Sequence, residues 1–373
     1  MRSLDLVIPG LLGPFSTEIS ANFPPHIHQQ LKEVDFHLLK KCLTRARLKT
    51  NHCTSYYSTL VDRFSGALAV TENKLAQCEL TARHDGIDTS SGFFYRADPV
   101  HFKAESDHAI LLGSELVLPT DNEKNALISA FNRHFLQEGV CLHASHSLRW
   151  YLQVDRPLNL KFYALDYSLG RDIKHFMPEG EDALWWRRIL NEAQMLFFQH
   201  ELNTLREANG QLTINGLWLW DLTAELPSCG QLRAQTEKGR ARSENNRKLQ
   251  KVYADNAVST ALASSLAEWA SEQCNHLPVE HYNDQDTFEP DSLIVVEQIY
   301  ASVCYGDIEA WLNALREYCC EHLPRVVNML KTGQTDEINV YPCDGRVLSI
   351  NRGQLIKFWK PLRNIESYFS VSE

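Results

Sequence analysis

A chain of 373 residues, 44% of them hydrophobic and 23% charged, has material for about two domains with cores of their own. A net charge of −10 argues against a general nucleic-acid binder, and no apolar run approaches the roughly 20 residues that a membrane helix needs. Residues 1–13 carry Asp5 mid-run and lack both a sustained apolar stretch and a small-residue cleavage site, so they do not read as a signal peptide; the expected location is the cytoplasm.

Leu4–Ile8 is a short apolar run ended by Pro9-Gly10, the pattern of a buried strand followed by a loop. Residues 26–49 read as one helix, with Leu31, Val34, Leu38, Leu39 and Cys42 on one face. Lys40, Lys41, Arg45, Arg47 and Lys49 lie toward its C-terminus, where the helix dipole favours cations. Phe93–His101 reads as a strand that enters a loop at Asp98-Pro99, and Ala109–Leu112 as another strand. Asp121 or Asn122 is the expected cap of a helix through Leu127, Phe131 and Phe135 that Gly139 ends. Val140–His143 and Leu148–Val154 fit an antiparallel pair.

The longest helical signal runs over 181–208, with Trp185, Ile189, Ala193, Leu196 and His200 at near-helical spacing. Gly210 closes it and Leu212–Trp220 follows as a strand, a helix-to-strand unit of α/β folds. Residues 228–251 are polar and rich in Arg and Lys, and read as an exposed loop whose cations are solvated in preference to forming a patch for an anionic partner. Val258–Gln273 has an amphipathic helical pattern, Pro278–Asp291 reads as a linker, Ser292–Ile299 as a strand and Asp307–Leu330 as a helix. Glu337–Tyr341 and Val347–Ile350 make a hairpin around Asp344-Gly345.

The ten cysteines never form a C-x-x-C pair, so reduced, mostly buried thiols are expected rather than a disulfide or zinc framework. No G-x-G-x-x-G, P-loop, G-x-S-x-G or H-E-x-x-H motif is present. His84-Asp85 and Asp107-His108 read as surface pairs, and Asp85-Gly86 also fits a turn. Two groups of polar residues carry more weight. His200, Asn203 and Arg206 fall on one helical face at spacings of three. An imidazole, an amide and a guanidinium there can hold a phosphate or carboxylate, or form a buried network with the strand of Asn215. Arg96, Asp98 and His101 flank Pro99, and Arg96 and Asp98 face the same way in a regular strand, which suits an internal ion pair or a pocket that Arg149 and the indoles of Trp150, Trp218 and Trp220 would line.

Two stretches resemble a known family. One is Tyr95-Arg96-Ala97-Asp98-Pro99-Val100-His101; the other runs from Met177-Pro178-Glu179-Gly180 through Asn191-Glu192-Ala193-Gln194-Met195 and His200–Arg206 to Ile214–Trp220. Their order is similar to a bacterial family described as RpfE-type regulatory proteins or as cofactor-independent phosphoglycerate mutase-like proteins. His200, Asn203 and Arg206, followed by Asn215 and Trp218-Leu219-Trp220, also resemble the helix and strand motifs of archaeal-type phosphoglycerate mutases. The resemblance implies an α/β protein with a three-layer alkaline-phosphatase-like core around a mostly parallel sheet and an additional α+β subdomain. It places the N-terminal part of the core at 1–80, the inserted subdomain at 81–210 and the C-terminal part of the core at 211–373.

The same resemblance exposes departures. The mutases hold two metal ions on Asp and His motifs. Here the first strand ends Val7-Ile8-Pro9-Gly10, the aligned Asp…His stretch reads Ala301-Ser302-Val303-Cys304-Tyr305, and Asp344 is followed by Gly345. Two-metal phosphoryl chemistry needs converging carboxylates and imidazoles. The expectation is a non-catalytic regulatory or ligand-binding protein with no metal and no cofactor; an active mutase-like isomerase or phosphotransferase and a structural or interaction protein are the alternatives. The candidate ligand residues are Arg96, Asp98, His101, Arg149, His200, Asn203, Arg206 and Asn215, with an anionic small molecule, a phosphate or carboxylate, as partner. A homodimer stays open; neither a membrane nor nucleic acid is expected.

Overall fold

Residue contacts in the computed structural model divide the chain into one unit of Met1–Val70 with Ser243–Glu373 and a second of Thr71–Arg242. The structure describes residues 2–13, 25–33, 36–51, 53–68, 77–220, 251–254, 279–281 and 288–368. The strands, in chain order, are β1 (Ser3–Val7), β2 (Arg47–Thr50), β3 (Phe93–Ala104), β4 (Ala109–Leu112), β5 (Val140–His146) and β6 (Arg149–Val154). They continue with β7 (Gly216–Trp220), β8 (Lys251–Ala254), β9 (Val279–His281), β10 (Ser292–Val295), β11 (Glu337–Tyr341) and β12 (Arg346–Asn351). The chain is thus mixed α/β.

Among the described residues, the first unit holds a seven-stranded sheet in the order β2-β12-β11-β1-β10-β8-β9. The five strands from β11 to β9 pair in parallel, and β12 and β2 add on antiparallel, so the sheet is mixed rather than uniformly parallel. β1 shows why a short strand is enough at the centre. Its even positions, Leu4 and Leu6, enter an apolar core with Ile294 of β10, Ile338 of β11 and the helices His37–Arg45, Ile308–Glu317 and Leu323–Thr332. Its odd position Asp5 faces the other way. There Asn339 of β11 donates to Asp5 at 2.8 Å, Ser349 of β12 donates to Asn339 at 2.7 Å, and Arg63 approaches Asp5 at 3.6 Å. Asp5, Asn339 and Ser349 are register neighbours on three adjacent strands, so one row of side-chain hydrogen bonds crosses the sheet.

The second unit is built on an antiparallel sheet, β4-β3-β6-β5 with β7 also paired to β3. β3 changes partner along its length: Phe93–Arg96 pair with β6, Arg96–Val100 with β7 and His101–Ala104 with β4. The expected loop at Asp98-Pro99 is therefore continuous strand. Residues 97–100 have a ladder with β7 alone, and a proline is tolerated in a strand where one edge carries no partner.

Other expectations also change. The single helix over 26–49 is two helices, Pro25–Glu33 and His37–Arg45, followed by β2: Ala46 is extended, and Arg47–Thr50 take their backbone partners from β12. The helix over 181–208 breaks at His200, whose extended backbone ends Ala183–Phe198 and starts Glu201–Ala208. The cap of the helix Asp121–His134 is Thr120, one residue earlier than expected; its side chain and that of Glu123 bond each other's backbone in a capping box. The helix over 307–330 contains a π turn at Tyr318–His322. Gly216–Trp220, read as the return to the core, pairs with β3 in the second unit. Both halves of the β5–β6 pair and of the β11–β12 hairpin stand where the sequence put them. The polar stretch over 228–250 and the helix over Val258–Gln273 lie outside the described residues.

Candidate functional site

Arg206 and Asn203 sit one turn apart on the helix Glu201–Ala208, and both are buried. The Arg206 guanidinium donates through Nη1 to both oxygens of Glu123 at 2.9 Å, through Nε to the Leu212 carbonyl at 2.7 Å, and through Nη2 to the Val117 carbonyl. Asn203 donates to the carbonyls of Phe197 (2.8 Å) and Ile214 (2.9 Å) and accepts from the Ile214 amide. The Phe197 carbonyl belongs to the last turn of the preceding helix, so Asn203 satisfies a helix end that the break at His200 leaves open. His200 is not on the helical face with the other two. It is the N-cap, and its Nδ1 accepts from the Leu202 amide at 3.3 Å.

Asn215 and His101 fasten the same incoming segment to β3. Asn215 accepts from the Phe102 amide at 2.7 Å and donates to the Phe102 carbonyl, and His101 Nδ1 lies 2.9 Å from the Thr213 carbonyl. Burial holds the His101 imidazole below its ordinary pKa, against the opposing pull of Thr213. Residues 212–215 are thereby gripped by four predicted side chains: Arg206 at 212, His101 at 213, Asn203 at 214 and Asn215 itself. Phe102 also lies where a Cβ at Gly216 would have to be, 2.1 Å from its ring, so only glycine lets β7 begin there.

Arg96, Asp98 and Arg149 form a second network. Arg96 donates to Asp98 in a fork, with contacts of 2.8–3.1 Å, and both are buried. Asp98 also accepts from the Trp150 amide at 3.2 Å and from the Trp220 indole at 2.8 Å. The β3–β6 ladder ends at Arg96, and the carboxylate captures the next β6 amide beyond it. The guanidinium lies over the rings of Tyr151 and Trp220. Arg149 pairs instead with Asp85, at 2.5 and 2.8 Å, and the Tyr151 hydroxyl donates to the same carboxylate at 2.7 Å. Burial pushes the Asp85 carboxyl up, but Arg149 and Tyr151 outweigh it and hold the group below its ordinary value. Asp85, expected at the surface, is a buried partner. The turn at Gly86 is as expected, with a φ of +77°. The indoles of Trp150, Trp218 and Trp220 are core.

A third cluster, in the first unit, was not singled out from the sequence. At the C-terminal end of β10 the chain continues to Glu297, which accepts from the hydroxyl of Tyr56. The Tyr300 ring stands 5.3 Å from that of Tyr56. Tyr56 opens the helix Tyr56–Leu68, whose first turn is closed by Ser55 and Ser58, each accepting the other's amide at 3.2 Å. Two turns on, Arg63 donates to Asp62 at 2.6 Å and to the hydroxyl of Tyr341, the last residue of β11, at 2.6 Å. Cys53 lies just before the helix; burial and Asp62 push its thiol up to about 12, which keeps it protonated and unreactive at neutral pH. Because β10 and β11 lie on opposite sides of β1, this edge is a switch point of the parallel strands, the place where open α/β sheets gather ligands. A polar residue straight after a buried strand, as Glu297 follows Val296, is the signal that would have found it.

Among the described residues no group of three or more His, Cys, Asp or Glu side chains is placed to hold a metal ion. At the strand ends where the resemblance puts metal ligands, β1 runs into Ile8-Pro9-Gly10, Ala301 lies in the helix Tyr300–Cys304, and Gly345 occupies a turn with a φ of +85°.

No protein-family model matches the chain, and no curated protein matches it in sequence. Among solved structures it is similar to a cofactor-independent phosphoglycerate mutase from Thermoplasma acidophilum DSM 1728, at 13% identity and a TM-score of 0.36, over 100% of this chain and 96% of that one. It is also similar to the PH0037 protein from Pyrococcus horikoshii, at 12% identity and a TM-score of 0.44, over 98% of this chain and 91% of that one.

Proposed function

We propose that this chain is a non-catalytic, ligand-binding regulatory protein on a phosphoglycerate mutase-like scaffold, with a three-layer core, and that its ligand site is the strand-end cluster of the first unit. The observation that carries the reading is a pair of contacts from one helix, Tyr56 with Glu297 and Arg63 with Tyr341, which place polar side chains at the C-terminal ends of β10 and β11 on either side of β1. A phenol, a carboxylate and a guanidinium at a sheet switch point supply directional donors and acceptors for a small polar molecule. Arg63 is the cation there for a phosphate or carboxylate group. The non-catalytic part is supported by Pro9, Ala301 and Gly345 at the positions where the resemblance puts metal ligands.

Thermal unfolding with a panel of phosphates and carboxylates tests the binding half. One member of the panel should raise the melting temperature of the natural chain, and the rise should vanish in Arg63→Lys, which keeps the charge but not the fork. Incubation with 3-phosphoglycerate and Mn tests the other half. Interconversion above background that disappears in Glu297→Gln would make the chain an enzyme and sink the proposal.

A further inference from the structure

The helix Arg352–Leu355 is only one turn long, closed by a capping box between Asn351 and Gln354. Beyond it the chain folds on itself: the Phe358 amide donates to the Ile356 carbonyl at 2.7 Å, and the Lys360 amide donates to that of Lys357 at 3.3 Å. Both ends of the segment are pinned. Leu355 and Ile365 are in the apolar core of the first unit, Arg45 donates to the Leu355 carbonyl, and the Arg363 amide donates to Thr44. Between these anchors the apolar side chains point outward. Ile356 is 69% exposed, Phe358 83%, Trp359 66% and Leu362 39%. Among the described residues no other stretch of seven exposes more than two large apolar side chains.

Such exposure opposes the hydrophobic effect and marks an interaction surface. The charge pattern says for what. Arg352, Lys357, Lys360 and Arg363 fall within or beside the apolar group, and no Asp or Glu occurs from Arg352 through Asn364. The whole chain carries −10. A cationic, aromatic-tipped loop on an acidic protein would be drawn to an anionic surface with the rest of the molecule turned away.

We propose that residues 352–363 dock on the headgroup region of an anionic phospholipid bilayer. Phe358 and Trp359 would enter the interface with Ile356 and Leu362, while Lys357, Lys360 and Arg363 bind lipid phosphates. Ile356 and Leu362 have no π face to stack on a base, so a nucleic-acid strand would leave half the apolar surface unused. A two-fold contact with a second copy would set the same cations against each other. The sequence expectation of no membrane rested on the lack of a spanning segment, and among the described residues no helix is long and apolar enough to cross one; a surface-bound loop needs none.

The test is sedimentation of the full chain with vesicles of phosphatidylcholine alone and of phosphatidylcholine mixed with phosphatidylglycerol. The chain should pellet with the mixed vesicles, remain in solution with the neutral ones and be released by salt. Phe358→Ser with Trp359→Ser should weaken binding by roughly tenfold or more, and Lys357→Glu with Lys360→Glu by a similar factor. All four side chains are at the surface or nearly so, and unchanged circular dichroism and melting show that the variants fold. Quenching of tryptophan emission by acyl-chain-brominated lipid should fall in Trp359→Phe, which locates the inserted ring. Failure to pellet with the anionic vesicles would overturn the proposal, as would pelleting that both double variants retain. Binding of single-stranded DNA or of an acidic peptide through this loop, without vesicle binding, would assign the surface to another partner and reject the lipid one.

Discussion

The two units use arginine in different ways. In the second, Arg96, Arg149 and Arg206 are each buried against a carboxylate from elsewhere in the same unit: Asp98, Asp85 and Glu123. Arg206 also donates to the Leu212 and Val117 carbonyls, and Arg96 lies over the rings of Tyr151 and Trp220, so both fix how separate segments of the unit meet. In the first unit Arg63 stands beside strand ends with Asp62 and Tyr341, and its carboxylate partners Asp5 and Asp62 keep more contact with solvent than Asp98 and Asp85 do. A guanidinium buried against a carboxylate inside its own unit is part of the fold's construction. One whose partners are side chains at the strand ends is available to a ligand at the cost of rearranging a hydrogen bond. The contrast is testable because the two kinds of arginine should fail differently.

The largest loss is expected from Arg96→Met. It leaves the Asp98 carboxylate fully buried with only the Trp150 amide and the Trp220 indole, and an unpaired buried charge costs about 3–5 kcal/mol. Urea unfolding should show it. The double variant Arg96→Met, Asp98→Leu should recover much of the loss, because no charge is then left unpaired. If the double variant is as unstable as the single, the network does more than balance charge.

Arg206→Ala comes next, at roughly 3 kcal/mol, toward the lower end of the same range, because Glu123 is partly exposed and keeps the Thr120 capping box. Its melting temperature should fall with no ligand present, and added phosphates should not restore it. Asn203→Ala should cost roughly 2–3 kcal/mol, for the orphaned carbonyls of Phe197 and Ile214 and the Ile214 amide. A ligand-dependent stabilisation that Arg206→Ala abolishes at little cost in stability would move the binding site into the second unit and erase the contrast.

These residues were legible in the sequence as a set, but not in their roles. Asn203, Arg206 and Asn215 stand out as polar groups beside a strand of leucines and tryptophans, and periodicity puts Asn203 and Arg206 on one face. Periodicity cannot show that His200 sits at a break, because the apolar spacing runs through it; the break depends on Asn203 folding back onto Phe197. Nor can spacing find Glu123 or Asp85, distant in sequence from the arginines they hold. β2 was lost for the same reason: its four residues continue the helical pattern, and only the partner strand β12 makes them extended. Hairpins, whose pairing is local, were read correctly. The Tyr56–Glu297 contact spans 241 positions and left no local mark beyond a carboxylate after an apolar strand.

Acid should separate the units further. The Asp85 carboxyl lies below its ordinary value of 3.8, and Glu123 lies below 4.5 because the Thr120 backbone and Arg206 outweigh its burial. A depressed carboxylate contributes its stabilisation fully above the unfolded value and loses it as pH falls through the folded one. Stability of the second unit should therefore hold down to about pH 4.5 and fall progressively below it. Asp85→Asn should lower stability at neutral pH and flatten the acid limb. A variant with an unchanged acid limb would mean that Arg149 and Tyr151 do not hold Asp85 in solution.

The smallest effect on stability is the most informative for function. Tyr56→Phe removes one hydroxyl and leaves the ring, its contact with Tyr300 and the capped helix behind it. Glu297, buried with Tyr56, loses one donor, and a hydrogen bond to a charged group is worth about 2 kcal/mol. A purely structural role for the strand-end cluster would show as that loss of stability and nothing more. If it is the ligand site, the melting temperature should fall by only a few degrees while the ligand-induced rise is lost. Glu297→Gln keeps the shape and the hydrogen bond but not the charge, so it separates recognition by geometry from recognition by charge. A ligand that still stabilises Glu297→Gln but not Tyr56→Phe is bound through the phenol. The reverse result assigns it to the carboxylate.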